Sequence, residues 1–402
     1  MLTEKLNANS LRRLGLISDK LIQIIGRNRF YSSLYEGKDI NDFDSLPIID
    51  KELVNEHYDE ICTEVNDTFS IATSGTTGIP LFIRWTKRDY TVSNMYTWRL
   101  RKKWYNITPA NKFCTFHVDT EYGMNDIVIL NGDRTLSLGK YNYTDKTLEK
   151  YVRAINEFEP EWMLGPASLI YILLKKSLAM DEQFNSIRYI ELNGEYVSNE
   201  MYEEIAKLSE ALVGNLYGAT EFNGIAMRCP CGKMHVLDKN VFVENKERGQ
   251  VSDLIITGLV NTRMPFIRYN IGDIGLVTDY ADCECGIRSM GIDLTYGRKS
   301  EIIKFEREKK INVSIFSSLI YRLNLEERIA LQYCVDIRGE KCVLQILVND
   351  GCLAKAKRQM AWMKRELRKF DIDYDIELFT KLEEMLADNG KFVFCKKHDE
   401  SV

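Results

Sequence analysis

Apolar positions follow two different periods along this chain, and their alternation predicts a layered α/β fold. Short apolar runs that are typical of buried strands lie at residues 112–118, 162–164, 188–192 and 213–217. Longer stretches with a helical spacing of apolar residues separate them, at residues 146–158, 166–179 and 198–210. Strands that alternate with helices are typical of α/β proteins, whose ligand-binding loops follow the carboxyl ends of the strands.

The two ends of the chain carry different patterns. Between positions 8 and 35, leucine and isoleucine residues are spaced for one buried face of an amphipathic helix or helix pair. Residues 301–402 look smaller and self-contained, with strands predicted at 332–337 and 343–348 and a helix predicted at 353–370. The pattern therefore predicts a large α/β domain followed by a small α+β domain.

Composition indicates a soluble globular protein. The 402 residues, 45% of them hydrophobic, leave room for two or three domains with sizeable cores. The net charge of −5 is small and both signs are spread along the chain, which argues against nucleic-acid binding. The sequence shows neither the apolar core of a signal peptide nor an apolar run of transmembrane length. We therefore expect a cytoplasmic protein without a membrane partner, and a homodimer stays an open alternative to a monomer.

A run of glycine and hydroxyl residues, Ile-Ala-Thr-Ser-Gly-Thr-Thr-Gly-Ile-Pro at residues 71–80, predicts a phosphate-binding loop. Glycine lets an anion approach the backbone amides, and the threonine and serine hydroxyls add donors to the same oxygens. The run differs from a Walker loop because no lysine follows Gly78 until Lys87. A polar surface turn between apolar runs has the same composition, so the loop alone leaves both interpretations open.

Cysteine and histidine residues in two clusters predict a zinc site. Both clusters contain Cys-x-Cys-Gly, in which glycine lets the backbone fold so that two sulfurs converge on one ion. A structural zinc ion takes four such ligands, and disulfides are disfavoured because the chain shows no sign of export. We expect His235, Cys283 and Cys285 to bind zinc, with either Cys229 or Cys231 completing the set. Such an ion would hold loops together and would not catalyse.

Further motifs accompany the glycine-rich loop. They read Leu-Tyr-Gly-Ala-Thr-Glu-Phe at residues 216–222, Arg-Tyr-Asn-Ile-Gly-Asp-Ile-Gly at 268–275, Tyr-Gly-Arg-Lys-Ser-Glu-Ile-Ile-Lys at 296–304, and Asn-Gly-Lys-Phe-Val-Phe at 389–394. In this order and at these separations, they resemble the signature motifs of the adenylate-forming (acyl-CoA synthetase) superfamily. The similarity is greatest to its phenylacetate-CoA ligase branch, in which a segment similar to residues 46–58 precedes the phosphate loop.

The resemblance implies a division of the chain into two domains. Residues 1–299 would form the adenylate-forming domain, which binds nucleotide and acid and includes the zinc-stapled loop region. Residues 300–402 would form a small, mobile C-terminal lid domain. This domain would rotate about Lys299 or Ser300 between adenylation and thioester formation.

The resemblance also implies how the nucleotide is held. The residues from Thr73 to Gly78 would cradle the β and γ phosphates, Tyr217 would stack on adenine, and Asp273 would accept hydrogen bonds from the ribose hydroxyls. Arg298 would lie near the ribose or the phosphates. The implied nucleotide- and substrate-binding residues are Thr73, Ser74, Gly75, Thr76, Thr77, Gly78, Glu195, Tyr217, Gly218, Ala219, Asp273 and Arg298.

Three residues are implied to take part in catalysis. Thr220 would bond the α-phosphate, and Glu221 would hold Mg²⁺, which prefers hard oxygen ligands. Lys391 would contact the carboxylate and the α-phosphate, where its charge would stabilise the transition state. His117 could orient the carboxylate, although a histidine among apolar and aromatic neighbours is more often a satisfied core residue.

The implied reaction is ATP-dependent activation of a carboxylic acid, aryl or related, through an acyl adenylate, followed by transfer to CoA. ATP, Mg²⁺, CoA and structural Zn²⁺ would be the cofactors. A carrier-protein thiol or an amine is an alternative acceptor, and a nucleotide-binding protein without ligase activity is a second alternative. The chain departs from many relatives at Leu81, since they place a lysine after the loop proline occupied here by Pro80.

Overall fold

The computed structural model describes residues 22, 24–39, 42–62, 67–73, 81–117, 125–140, 144–197, 199–281, 283–294, 302–304, 310–312, 316, 319–320, 323, 329–338, 341–349, 351–368, 373–386 and 395–397. The α-helices in these ranges are α1 Arg29–Leu34, α2 Lys51–Glu56, α3 Tyr58–Ile61, α4 Lys87–Tyr105, α5 Asp145–Phe158, α6 Ala167–Ala179, α7 Asn199–Ser209 and α8 Leu353–Leu367. None of these described helices combines the length and the apolar character that crossing a bilayer would require.

The strands in the same ranges are β1 Thr68–Ala72, β2 Phe82–Thr86, β3 Phe113–His117, β4 Ile127–Leu130, β5 Thr135–Gly139, β6 Trp162–Gly165, β7 Tyr189–Asn193, β8 Leu212–Ala219, β9 Asn223–Arg228, β10 Met234–Val236, β11 Val241–Asn245, β12 Ser252–Gly258, β13 Tyr269–Ala281, β14 Ser289–Asp293, β15 Ile302–Lys304, β16 Lys310–Asn312, β17 Ala330–Arg338, β18 Lys341–Val348, β19 Asp373–Phe379 and β20 Cys395–Lys397. The predicted mixed α/β class is confirmed.

The chain divides by spatial contact into two compact units. The first unit comprises residues 1–100 and 217–294, and the second comprises residues 101–216 and 295–402. This division differs from the predicted domain boundary at residue 299, which stays a prediction. The proposed pivot residues, Lys299 and Ser300, lie outside the described residues.

The first unit is built on an antiparallel sheet with the strand order β11-β12-β13-β14-β10-β9. A separate hairpin pairs β1 with β2. Asn28 directly precedes helix α1, and its side chain accepts a hydrogen bond from the Tyr31 amide and so caps the helix. The buried Tyr31 hydroxyl donates to the Pro265 carbonyl at 2.9 Å and accepts from the Ile267 amide at 3.1 Å. These bonds fix the segment that leads into β13.

The second unit contains the predicted alternation of strands and helices. Strands β8, β7, β6, β3 and β5 pair in parallel, and β4 adds an antiparallel edge beside β5. Helix α6 links β6 to β7, and α7 links β7 to β8. All five residues of β5 are buried, as expected for a parallel strand covered on both faces. The strands and helices predicted between residues 112 and 217 are therefore confirmed.

The C-terminal part of the second unit has its own sheet, with the strand order β19-β18-β17-β20. Strands β17 and β18 are antiparallel, whereas β18 pairs with β19 in parallel after the crossover through α8. These elements correspond to the strands and helix predicted at 332–337, 343–348 and 353–370. The predicted α+β character of this part of the chain is confirmed.

A buried ion pair lies within the second unit. The Arg101 guanidinium donates to both carboxylate oxygens of Glu191, at 2.8 and 2.5 Å, and Tyr189 donates its hydroxyl to the same carboxylate at 3.0 Å. Glu191 is fully buried, and Arg101 also lies over the Trp162 ring at 5.1 Å. The planar fork of arginine suits this bidentate geometry. The pair ties the last turn of α4 to the centre of β7.

Replacing Glu191 by glutamine is expected to lower the free energy of unfolding by about 3–5 kcal/mol, because Arg101 would keep its charge in a buried site without its counter-charge. Denaturant unfolding followed by circular dichroism measures the loss. The matched control is Arg188→Gln, which breaks a pair with Glu161 whose side chains are 39% and 41% exposed; the expected loss there is about 0–1 kcal/mol. If the two variants lost equal free energy of unfolding, leaving Arg101 without its buried counter-charge would carry no extra cost.

Candidate functional site

The glycine-rich run connects the two strands of the β1–β2 hairpin. The Thr73 amide donates to the Leu81 carbonyl at 2.8 Å, and the Leu81 amide donates to the Thr73 hydroxyl at 3.0 Å. These two bonds close the base of the loop. The predicted phosphate ligands Ser74, Gly75, Thr76, Thr77 and Gly78 lie outside the described residues, so their role stays a prediction.

The turn at residues 220–222 joins β8 to β9 and carries Thr220 and Glu221. A Cβ atom at Gly218 would lie 2.3 Å from the carbonyl oxygen of Asn223, so this approach of the two strands requires glycine. The buried Asn240 amide donates to the carbonyls of Phe222, at 2.8 Å, and of Gly224, at 2.5 Å. The close approach at Gly218 and the two bonds from Asn240 therefore fix the turn between β8 and β9.

Two carboxylates from separate motifs face tyrosine hydroxyls within the first unit. Tyr217 donates to Asp273 at 2.6 Å, and Tyr269 donates to Glu221 at 3.3 Å. Glu221 and Asp273 are each 8% exposed. Burial, together with the Glu221 carboxylate, raises the pKa of Tyr269, which keeps its hydroxyl protonated as a donor. The structure thus brings together Tyr217, Glu221 and Asp273, which the sequence places in two distant motifs.

Arg268, the first residue of the motif at 268–275, has a structural role that the sequence did not reveal. It adopts a left-handed conformation with φ of 50°. Its guanidinium donates to the backbone carbonyls of Phe43, Asp44 and Leu46 at 3.1, 2.6 and 2.5 Å. It also donates to Glu244 at 2.6 Å. Burial raises the pKa of Glu244 to about 7, although the Arg268 charge opposes that shift.

Other predicted site residues lie in the second unit or outside the described residues. Glu195 accepts hydrogen bonds from the amide and the hydroxyl of Ser168, at 2.6 and 3.0 Å, and so caps helix α6.

His117 is 2% exposed and bonds through its two ring nitrogens to the Ser137 hydroxyl and the Asn125 carbonyl, each at 2.9 Å. This environment is that of a satisfied core histidine. Arg298 and Lys391 lie outside the described residues.

Four of the five predicted zinc ligands form one cluster. The ligand atoms of Cys229, His235, Cys283 and Cys285 all lie within 4.8 Å of one another. The Sγ atoms of Cys229 and Cys283 are 3.8 Å apart, and Cys285 Sγ is 3.3 Å from His235 Nε2. Cys231 is exposed and is not one of these four, although its thiol interacts with those of Cys229 and Cys283. Of the two alternatives left open by the sequence, the cluster contains Cys229.

Local backbone geometry explains why the cysteines converge. The Gly232 amide donates to the Cys229 carbonyl, and the Gly286 amide donates to the Cys283 carbonyl, each at 2.9 Å. Both glycines have positive φ, of 80° and 75°, which other residues rarely adopt. His235 lies on β10, where its Nδ1 atom bonds the Ser289 hydroxyl at 2.8 Å. That bond orients the ring, and burial lowers the pKa of His235, which favours the neutral form that binds metals.

Residues 18–246, more than half of the chain, match the AMP-binding enzyme family, and the chain belongs to that family. Over 219 residues it is 23% identical to Protein CapK of Staphylococcus aureus, a match that covers 54% of this chain and 48% of CapK. Over 250 residues it is 24% identical to phenylacetate-coenzyme A ligase of Thermus thermophilus, covering 58% of this chain and 55% of the ligase. The chain spans about half the length of these curated relatives.

A solved structure of 2-hydroxyisobutyryl-CoA ligase, in the postadenylation state with R3-HIB-AMP, has the same fold. The TM-score is 0.74 at 15% identity, and the match covers 96% of this chain and 89% of the ligase. An identity this low shows the shared fold alone. The predicted resemblance to the adenylate-forming superfamily and its fold is confirmed.

Gly218→Ala is expected to destabilise the protein by about 1–3 kcal/mol, because the new Cβ atom would force β8 and the Asn223 carbonyl apart. Thermal and denaturant unfolding measure this loss. Ala219→Gly is the control at the neighbouring position, with an expected loss of about 0.5–1 kcal/mol from backbone entropy. A Gly218→Ala protein as stable as the wild type would refute the close approach.

Proposed function

We propose that this protein activates a carboxylic acid with ATP and transfers the acyl group to the thiol of CoA. The observation that carries the proposal is the convergence of Tyr217, Glu221 and Asp273 within one unit, with the carboxylates bonded to tyrosine hydroxyls at 2.6 and 3.3 Å. Membership of the AMP-binding enzyme family supports the use of ATP. The aromatic content of the chain, 11% of its residues, fits an aryl or related acid as the substrate.

The reaction divides into two displacements. In the first, a carboxylate oxygen of the acid attacks the α-phosphorus of ATP, the bond to the bridging oxygen breaks, and pyrophosphate leaves. In the second, the thiolate sulfur of CoA attacks the acyl carbon, the acyl–oxygen bond breaks, and AMP leaves; the thiol proton passes to solvent. Lys391 is proposed to stabilise the charge on the α-phosphate oxygens in the first step.

The residues of the first unit are proposed to hold the nucleotide. Asp273 accepts a hydrogen bond from Tyr217, and a carboxylate has acceptor sites for ribose hydroxyls as well. Thr220 would bond the α-phosphate beside Glu221. The buried carboxylate of Glu221 is a hard oxygen ligand, oriented by the Tyr269 hydroxyl, and so fits a magnesium ion. When bound, Mg²⁺ would neutralise phosphate charge and orient the pyrophosphate leaving group.

Pyrophosphate release should require ATP, Mg²⁺ and an acid, and Asp273→Asn should raise the KM for ATP by about 10- to 100-fold because it weakens bonds to a charged acceptor. The assay runs over a panel of aryl and short-chain acids, with and without CoA. The matched control is Asp293→Asn, at an exposed aspartate of the same unit, which should leave the KM unchanged.

The outcome of that assay separates the candidate functions. Acyl-CoA formation would support the CoA ligase, whereas pyrophosphate release with acyl transfer only to a carrier protein or an amine would favour the alternative acceptor. ATP binding without pyrophosphate release for any acid on the panel would contradict ligase activity and favour a nucleotide-binding protein.

We further propose that Cys229, His235, Cys283 and Cys285 bind a structural zinc ion. Two sulfurs bound to one zinc ion at about 2.3 Å, at the tetrahedral angle, lie about 3.8 Å apart. The observed Sγ–Sγ distance of 3.8 Å between Cys229 and Cys283 agrees with that value. A disulfide would require about 2.05 Å. Three thiolates and one imidazole complete a tetrahedral set, which leaves no position for a reacting water.

Cys283→Ser and Cys229→Ser are each expected to lower the zinc content of the purified protein from about one ion to well below one, and to lower its melting temperature, because metal binding contributes directly to folding. Elemental analysis and thermal unfolding provide the two measurements. Cys231→Ser tests the alternative fourth ligand and should keep the zinc, and Cys62→Ser, at a cysteine that is not one of the four, serves as the control. Retention of zinc by Cys229→Ser together with its loss from Cys231→Ser would reverse the assignment.

A further inference from the structure

The hairpin that presents the glycine-rich loop is linked to the Thr220–Glu221 turn by one buried side chain. Trp85 lies on β2, and its indole N–H donates to the Thr220 carbonyl at 3.2 Å. Trp85 is 1% exposed, and its ring makes an edge-to-face contact with Tyr90 at 5.8 Å between centroids. The carbonyl that Trp85 bonds belongs to the peptide unit joining Thr220 to Glu221. Its orientation therefore depends on where the hairpin lies.

Paired strands connect Trp85 to the base of the glycine-rich loop. In the β1–β2 register, Trp85 is opposite Phe69, and Ala72 is opposite Phe82 at the end next to the loop. Thr73 and Leu81 then close the base of the loop. A displacement of the loop base is therefore carried along paired strands to the indole.

Further bonds at the turn and its flanks come from other elements, among them one from the Asn223 side-chain amide to the Ser93 hydroxyl on α4 at 2.5 Å. The Phe222 amide donates to the Ala219 carbonyl at 3.0 Å, and Asn240 holds the carbonyls of Phe222 and Gly224. Trp85 approaches from 135 residues earlier in the chain. The indole therefore connects the turn to the hairpin, which the bonds from Asn240 do not.

We propose that Trp85 is a positioning residue that couples the glycine-rich hairpin to the Thr220–Glu221 turn, so that the β and γ phosphates at the loop and the α-phosphate at the turn are bound in register. The proposal rests on the proposed use of ATP. It predicts that the coupling raises the affinity for ATP, which spans both elements, more than the affinity for AMP, which has only the α-phosphate.

Trp85→Phe keeps an aromatic ring but removes the N–H donor. The ratio of ATP to AMP affinity, measured by calorimetry with Mg²⁺, should fall by about 3- to 10-fold, as expected for one lost hydrogen bond. The matched control is Trp162→Phe in the second unit, where Trp162 is also 1% exposed. That control loses the same buried volume and should leave the ratio unchanged.

A second variant tests the coupling if Trp85→Phe does not fold. Thr73→Val removes the hydroxyl that accepts from Leu81 while leaving Trp85 in place. In the wild type, ATP should slow hydrogen exchange of the amides at 220–224 more than AMP does, and Thr73→Val should reduce that difference. A double-mutant cycle should then show the effects of Thr73→Val and Trp85→Phe on ATP affinity to be less than multiplicative.

The outcomes distinguish this inference from the proposed function. An unchanged ATP-to-AMP ratio in Trp85→Phe, or multiplicative effects in the cycle, would overturn the coupling even if the protein is an active ligase. A reduced ratio would support the coupling even if no acid on the panel causes pyrophosphate release. A wild type that binds neither nucleotide would overturn both proposals.

Discussion

The close contact between β8 and β9 at Gly218 is the constraint on which the candidate site depends. Because a side chain there would meet the Asn223 carbonyl at 2.3 Å, the two strands approach only with glycine at this position. Ordering the three turn residues costs about 3–6 kcal/mol of backbone entropy. The four hydrogen bonds from Phe222, Trp85 and Asn240 to the turn and its flanks return about 2–6 kcal/mol. The two sums are similar, so the turn depends on all of its partners.

The motif at the start of β13 serves both the fold and the candidate site. Arg268 uses one guanidinium nitrogen for three backbone carbonyls of residues 43–46 and another for Glu244. A lysine has no such planar fork and could not make these bonds in the same directions. Five residues later, Asp273 accepts from Tyr217. A motif read from sequence as a nucleotide signature thus also anchors the N-terminal segment of the first unit.

Local patterns predicted much of this structure, whereas pairings between distant residues were not predictable. The alternation of strands and helices predicted β3, β6, β7 and β8 and the helices between β5 and β8, and Cys-x-Cys-Gly indicated the two turns of the cluster. The pairing of Arg101 with Glu191, 90 residues away, depends on which strand α4 packs against. The choice between Cys229 and Cys231 depends on which of the two thiols lies closer to the other three ligands in the folded chain. Likewise, the Glu195 carboxylate caps α6 through Ser168, a contact that no local signal indicated.

Two strands connect the candidate nucleotide site to the cysteine cluster. Strand β9 begins directly after the Thr220–Phe222 turn and ends at Arg228, next to Cys229, while β13 begins at Tyr269 and ends two residues before Cys283. The six residues of β9 span about 20 Å. At that distance an ion in the cluster would be too far from Glu221 to act on a reacting phosphate. The proposed zinc ion would instead join the far ends of β9, which follows Glu221, and β13, which carries Asp273. Its binding free energy would then stabilise the sheet that sets the geometry of the site.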